Sequence, residues 1–359
     1  MSRPIRLNVD LKAMRKNLRH TVDVAQPAKI MAVVKANAYG HGISRCFPAL
    51  GAADALALLE IDSAVSLRQL GYKKPIVLLE GFFGELELAV FAKESLTAVV
   101  HHVEQIKMLL KTRLDNPIGI FLKANSGMNR LGLDLDVYDT NFQRLRSCAN
   151  VSFIVAMTHF ADADGARGVE WQYKRFKSLK CHQEKDLLTS MGNSATILRH
   201  PQSVGDWARP GIMLYGCSPF GVDLENRVPI SPVMSLTSRI VARQEVEKGE
   251  SVGYGCDYVA ARRTKVGIVA CGYGDGYHRN VCAGTHVLIG DHKAPIIGRI
   301  SMDLLAIDIT AVPERDYSKS VMMWGPDLPI EMIAKAAGTI SYDLLCRVSQ
   351  RVPVTVSGQ

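Results

Sequence analysis

Lys35 closes the apolar run Met31-Ala-Val-Val and opens the small-residue segment Ala36-Asn-Ala-Tyr39-Gly-His-Gly42. An apolar strand end is a poor place for a solvated charge. Desolvation penalises the ammonium form, so a lysine held there loses its proton at modest pH, and a neutral amine can form an imine with an aldehyde cofactor. The same lysine could equally begin a surface loop and carry its ammonium out to water, so this segment alone leaves both readings open. Other reactive side chains follow similar runs. Lys123 ends Ile118-Gly-Ile-Phe-Leu, His159 follows Met157-Thr, and the pairs Asn193-Ser194 and Arg209-Pro210 close two more. Amines, an imidazole, a hydroxyl and a guanidinium suit proton transfer and anion binding. Taken singly, His159 also reads as a satisfied core histidine, and Arg209, just ahead of a proline, as an extended surface residue.

The elements that would position these groups follow from the pattern of apolar runs. After a polar, helix-compatible stretch at about 11–25, eight runs fall near 29–35, 54–59, 75–79, 97–100, 117–123, 151–158, 187–191 and 204–214. They are continuous rather than alternating and are separated by amphipathic spacers, which predicts buried parallel strands in a (β/α)8 TIM-type barrel. The last run, interrupted by Trp207-Ala-Arg-Pro210, is the weakest. Chemistry in such barrels sits at the C-terminal strand ends, and the loops after strands seven and eight often bind phosphate. Ser194 supplies a hydroxyl there, and Gly211 lets backbone N–H groups approach closely. An aldehyde cofactor with a phosphate handle would suit this set.

Beyond about residue 232 the texture changes to alternating segments such as 235–243 and 304–310 between glycine-rich turns. This predicts a mostly β-strand second domain over 232–359, after a barrel domain over 1–231. One helix stands out in it, near 328–337, closed by Gly338. The alternation Ile5, Leu7, Val9 predicts a strand that could belong to either domain, so residues 1–9 could pair with the C-terminal one. Gly272-Tyr-Gly-Asp-Gly276 resembles a phosphate loop in composition, but no strand leading into a helix surrounds it, and a tight turn is the better reading. His101-His102 begins a helix and has no ligand partners at useful spacing.

Composition narrows the function classes. At 47% hydrophobic and 22% charged, the chain has neither the composition of a disordered protein nor an apolar run long enough for a membrane span. Its start has no apolar signal region, so a cytoplasmic enzyme is expected. The eight cysteines include no Cys-x-x-Cys pair and no zinc-like Cys/His cluster; buried free thiols and no metal are expected. A net charge of +8 is spread without an aromatic ladder or a nucleic-acid module, so no nucleic-acid partner is expected, though the charge helps draw an anionic cofactor or substrate.

Several ordered segments together carry a family resemblance. They are Ala32-Val-Val-Lys-Ala-Asn-Ala-Tyr-Gly-His-Gly42, Leu122-Lys-Ala-Asn-Ser-Gly-Met-Asn-Arg-Leu-Gly132, Met157-Thr-His-Phe-Ala161, Asn193-Ser194, Trp207-Ala-Arg-Pro-Gly-Ile-Met-Leu-Tyr-Gly216, Ser251-Val-Gly-Tyr-Gly255, Gly272-Tyr-Gly-Asp-Gly-Tyr277 and Gly298-Arg-Ile-Ser-Met-Asp303. Over essentially its whole length the chain resembles the alanine racemases, pyridoxal 5′-phosphate enzymes with an N-terminal barrel and a C-terminal β domain. The resemblance implies a cytoplasmic homodimer that shares its active sites between subunits and interconverts L- and D-alanine, for peptidoglycan synthesis or alanine catabolism.

Roles are implied position by position. Lys35 would hold the cofactor as a Schiff base and then act on one face of the substrate Cα, with Tyr254 of the second subunit on the other; racemisation needs two opposed bases. His159 and Arg209 would form a hydrogen-bonded relay. Arg209 would face the pyridine nitrogen, which a guanidinium leaves unprotonated because it can only donate. Tyr39, Asn193, Ser194, Gly211, Ile212 and Tyr342 are implied around the cofactor and its phosphate. Arg130 and Met302 would meet the substrate carboxylate, with Tyr273 and Asp303 also on the substrate side. Lys123 matches a position often carbamylated, which would orient Arg130. Asn125 departs from the family pattern by replacing an acidic residue, which alters loop hydrogen bonding without touching a catalytic role.

Three competitors share parts of this pattern. A racemase for serine or basic amino acids would use the same machinery. A decarboxylase of similar architecture would want an acid at the pyridine nitrogen and a cysteine motif that is absent. A single-barrel cofactor carrier would lack the second domain that brings Tyr254 and Met302.

Overall fold

The computed structural model describes residues 3–222 and 229–358. These divide into two units: residues 18–38 with 46–214, and the described residues of 1–17, 39–45 and 215–359. Strand β1 (Arg6–Asp10) belongs to the second unit. The first unit holds β2 (Lys29–Val33), β3 (Ala55–Leu58), β4 (Ile76–Leu78), β5 (Leu96–Val100), β6 (Ile118–Lys123), β7 (Val151–Met157), β8 (Thr189–Ser190) and β9 (Trp207–Ala208).

These eight strands form one parallel sheet in the order β8-β7-β6-β5-β4-β3-β2-β9. Its two ends meet where Ser190 Oγ donates to the Trp207 carbonyl at 2.8 Å and Ser190 bridges Gly205, so the sheet is a near-closed barrel. Every residue of β3, β4, β5 and β6 is buried, as expected of strands covered on both faces. Each apolar run read from the sequence overlaps one of these strands. The weak last run yields only the two residues of β9 before the chain turns at Pro210. The outer helices follow ordinary amphipathic logic. Helix Leu135–Arg146 buries Tyr138, Phe142 and Leu145 at three- and four-residue spacing, and it places Asp136 in its first turn and Arg144 and Arg146 in its last.

The second unit is mostly strand: β10 (Met234–Ser238), β11 (Ile240–Val246), β12 (Ser251–Val252), β13 (Tyr258–Val259), β14 (Thr264–Val269), β15 (His286–Ile289), β16 (His292–Ile297), β17 (Leu305–Asp308), β18 (Val321–Trp324) and β19 (Val354–Ser357). The nine-stranded sheet runs β11-β14-β17-β16-β15-β18-β10-β1-β19. Here burial alternates along β1, β10 and β17, the mark of strands with one covered face. β1 pairs antiparallel with β10 and parallel with β19, Leu7 lying opposite Leu236 and Val354, which buries Ile5, Leu7 and Val9. Tyr277 stacks on Trp324 at 5.7 Å in the core of this unit.

The helix expected near 328–337 is Ile330–Ala336, with Gly338 at φ 68° past its end. A second helix, Ser341–Arg347, was not expected. It is less than two turns long and its buried Leu344 and Leu345 are adjacent, so the sequence has no helical period to show; the Asp343 carboxylate taking Arg347 Nε at 2.7 Å supports it locally. No helix among the described residues is long and apolar enough to cross a membrane.

Candidate active site

Lys35 follows Val33 and Val34, both buried, at the C-terminal end of β2. There the chain leaves the strand in an unusual way. Ala36, Asn37, Ala38 and Tyr39 all have φ between 51° and 55°, a single left-handed helical turn without one glycine. Each such residue costs about 1–2 kcal/mol in that conformation. Four in succession mark a backbone held by its surroundings, a feature found at functional sites. Nothing in Ala-Asn-Ala-Tyr announces it beyond the small size of three side chains.

Lys123, at the end of β6, is 6% exposed. Burial, then the positive charges of Arg209, Arg130 and Lys35, lower its amine to about 7, with Glu80 opposing. Arg130 is exposed on the loop that follows. In that loop Asn125 Oδ1 accepts from Gly127 N at 3.2 Å and Asn129 N at 3.0 Å while its Nδ2 donates to Asn129 Oδ1. A carboxylate could accept both bonds but could not make the third, so the neutral amide is the more complete organiser.

Arg209 is 5% exposed, not the surface residue its proline neighbour allowed. Its Nη1 donates to Ser190 Oγ at 2.6 Å; its Nη2 donates to Thr158 O at 2.8 Å, His159 Nδ1 at 3.1 Å and Met191 O at 3.3 Å. All these acceptors are neutral. Burial without a counter-charge lowers the guanidinium to about 9. His159 is half-buried, yet its imidazole is desolvated; that, with the charges of Arg209, Lys123, Arg130 and Lys35, holds it well below the ordinary histidine range. Beneath it lies a residue that sequence reasoning missed. Gln172, fully buried, donates to the His159 carbonyl and Ser126 Oγ at 3.0 Å each and accepts from Ala161 N at 2.6 Å. A glutamine in a polar helix carries no signal of such a role.

Asn193 Oδ1 caps helix Ser194–Arg199 by accepting from Thr196 N at 2.9 Å. Ser194 Oγ takes Gly211 N at 2.9 Å and Met213 N at 3.5 Å, so the hydroxyl, Gly211 and the buried Ile212 stand together beside unsatisfied helix N–H groups. The unit thus gathers Lys35, Lys123, Arg130, His159 and Arg209, together with a hydroxyl-and-amide cup formed by Ser194 and its neighbours, at the C-terminal strand ends. Four basic side chains around one neutral imidazole suit an anionic ligand.

The remaining candidates lie on the second unit. The Tyr39 ring stacks on Tyr215 at 4.6 Å and tilts against Tyr342 at 6.1 Å, and burial pushes its phenol up from the ordinary value. Gly40, at φ 79°, lets the chain pass directly against the Leu345 carbonyl of the helix that carries Tyr342. Gly40→Ala would put a methyl into that carbonyl, and backbone strain alone is expected to cost about 1–3 kcal/mol. A urea unfolding midpoint equal to that of the unmodified chain would contradict this.

Tyr254 stands in a turn between Gly253 and Gly255 and is 72% exposed. Met302 is 54% and Tyr273 39% exposed, and Asp303 is exposed beside them. Tyr273 N donates to Ser301 O and Gly274 N to Met302 O, at 3.1 and 2.8 Å, so the two loops form one edge.

Comparison with known proteins gives the same answer across the full length. Residues 9–219 match the alanine racemase N-terminal domain and residues 233–356 the alanine racemase C-terminal domain. An alanine racemase of Burkholderia mallei is 45% identical over 356 residues, 99% of each chain. The crystal structure of the biosynthetic alanine racemase of Pseudomonas aeruginosa superposes with a TM-score of 0.94 at 40% identity, covering 99% of both chains. That of Bartonella henselae, solved with covalently bound pyridoxal phosphate, does so with a TM-score of 0.89 at 26% identity and the same coverage. With both domain matches and this identity over nearly every residue, the chain belongs to the alanine racemase family.

Proposed function

We propose that this chain interconverts L- and D-alanine with pyridoxal 5′-phosphate, using one proton-transferring side chain on each face of the substrate Cα. The observation that carries the proposal is the buried Arg209 guanidinium, which has only neutral partners, beside Lys35, Lys123 and Arg130. When bound, pyridoxal 5′-phosphate supplies an electron sink that acidifies the Cα–H bond of an amino acid joined to it. Lys35 would hold it, Ser194, Gly211, Ile212, Tyr39 and Tyr342 would receive its phosphate, and Asn193 would shape that cup. Arg209 would donate to its ring nitrogen, which restrains the sink and favours reprotonation over side reactions.

Lys35 and Tyr254 are the two bases in this reading. Tyrosine is weak at its reference pKa of about 10. His159 offers help: its Nδ1 accepts from Arg209 and it stays neutral, so its proton sits on Nε2, where it can donate to the tyrosine oxygen and stabilise the phenolate. Arg130 and Met302 would hold the substrate carboxylate, with Tyr273 and Asp303 beside it, and Lys123 would carry a carbamate that orients Arg130.

We also read the enzyme as a cytoplasmic homodimer in which residues 232–359 of one subunit complete the site in the 1–231 barrel of the other. The exposure of Tyr254, Tyr273 and Met302 supports this, since large side chains of these types gain most by being covered. D-Alanine from this reaction would serve peptidoglycan synthesis, and the reverse flux alanine catabolism. Racemisation assayed on alanine, serine, lysine and arginine is expected to give alanine the highest kcat/KM; a higher value for lysine would overturn the substrate assignment.

A further inference from the structure

The turn 272–276, whose composition suggested a phosphate loop, has another use. Asp275 is fully buried, and its carboxylate accepts four hydrogen bonds from three residues, none of which belongs to the proposed reaction centre. Arg3 binds it with both Nη1 and Nη2, at 2.6 and 3.1 Å, Arg351 Nε reaches it at 2.8 Å, and Gly272 N donates at 3.0 Å. Its backbone carbonyl takes Ser349 N at 3.0 Å, which ties down the segment bearing Arg351.

Both guanidiniums then pass on to the neighbouring loop. Arg3 Nη2 donates to Asp303 O at 2.6 Å, and Arg351 Nη2 donates to the Asp303 carboxylate at 2.7 Å and to Met302 O at 3.4 Å. The loop closes on itself through Ser301 N to Leu304 O at 2.9 Å. Gly272 backs directly onto the Ser301 and Met302 carbonyls, an approach that leaves no room for a side chain. Guanidinium forks hold their acceptors in a fixed plane, so a buried carboxylate gripped by two of them is a rigid post. A loop with exposed Met302 and Asp303 would otherwise be free to sample many positions.

We propose that Asp275 is a positioning residue for the reaction: through Arg3 and Arg351 it fixes loop 301–304 against Tyr273, so that Met302, with Asp303 beside it, meets the substrate carboxylate as part of one preset edge. This rests on the reading that the edge serves the site of a second copy of the chain. A post that only stabilised the fold would have no reason to reach, through both arginines, the loop that carries Met302 and Asp303.

Mixed dimers of the cofactor-loaded enzyme test this. Arg351→Met, at a partly exposed position, is expected to keep the bound-cofactor spectrum and raise KM for alanine roughly tenfold while kcat falls less than about threefold; Asp275→Asn should act the same way more strongly. Co-expressed with Lys35→Ala, the Arg351→Met chain supplies an intact barrel and the Lys35→Ala chain an intact edge, so the single live site should return to the unmodified KM. Unmodified KM in the Arg351→Met homodimer, or a KM still raised in the mixed dimer, would overturn the proposal. Mixing Lys35→Ala with Tyr254→Phe keeps the two readings apart: recovery of activity there supports site sharing alone, whereas failure to recover removes site sharing and the proposal with it.

Discussion

Tyr254→Phe is expected to leave the chain folded, loaded with cofactor and reducible by borohydride onto Lys35, while racemisation falls about 10²–10⁴-fold. The substitution deletes one hydroxyl at a position 72% exposed in the single chain, so its effect on stability should lie within about 0.5 kcal/mol. Lys35, Ser194 and Arg209 are untouched, and the visible chromophore should persist with them. The informative part is what survives. If Lys35 works on one face and Tyr254 on the other, the variant should still exchange the Cα hydrogen of one enantiomer with solvent and lose exchange of the other. His159 adds no titration of its own above the ordinary histidine range, because burial and the surrounding positive charges keep it neutral there. Unchanged racemisation, or equal loss of exchange from both enantiomers, would remove Tyr254 from the mechanism.

The sequence made the barrel legible because its strands are buried on both faces, so that apolar runs stand out against amphipathic spacers without an alignment. It was least clear where backbone rather than side-chain pattern sets the structure. β9 is two residues long because the chain must turn at Pro210 to bring Gly211 to Ser194. Helix Ser341–Arg347 is too short to show a period, although it carries Tyr342. The left-handed turn after Lys35 is made of residues that would be ordinary in a helix, and only the folded surroundings impose it. Within the candidate site, residue types at strand ends were readable, but the electrostatic state was not. Three of the groups around Arg209 are backbone carbonyls or a serine hydroxyl, which no sequence pattern advertises, and they decide that a cation is buried with no counter-charge. Asp275 shows the same limit from the other side: the tight turn was foreseeable, but Arg3 and Arg351, far away in sequence, were not foreseeable as its partners.

Lys123 is expected to carry CO2 as a carbamate, and its surroundings explain why. With its amine lowered to about 7, roughly half of it would be neutral at pH 7; at the reference value near 10.4 only about four in ten thousand would be. The neutral nitrogen attacks CO2, an N–C bond forms as one C=O π pair moves onto oxygen, the nitrogen gives one proton to water, and a neutral amine beside Arg130 and Arg209 becomes an anion. Bare Lys123 has a folded pKa below its unfolded one, so the folded state binds fewer protons between about pH 7 and 10.4 and gains stability as pH rises through that window; below it the ammonium must be buried and that gain is lost. Carbamylation abolishes this dependence. A native mass spectrum should therefore show one CO2 beyond the cofactor-loaded chain. Exhaustive CO2 removal should raise KM for alanine about tenfold, equivalent to about 1.4 kcal/mol of lost carboxylate binding, as Arg130 loses its partner, and bicarbonate should restore it. Lys123→Met should show the raised KM with no response to bicarbonate, while Lys123→Glu, which keeps an anion without needing CO2, should recover part of the binding. A bare amine in the native mass, together with activity indifferent to CO2, would leave Arg130 to be oriented by some other group.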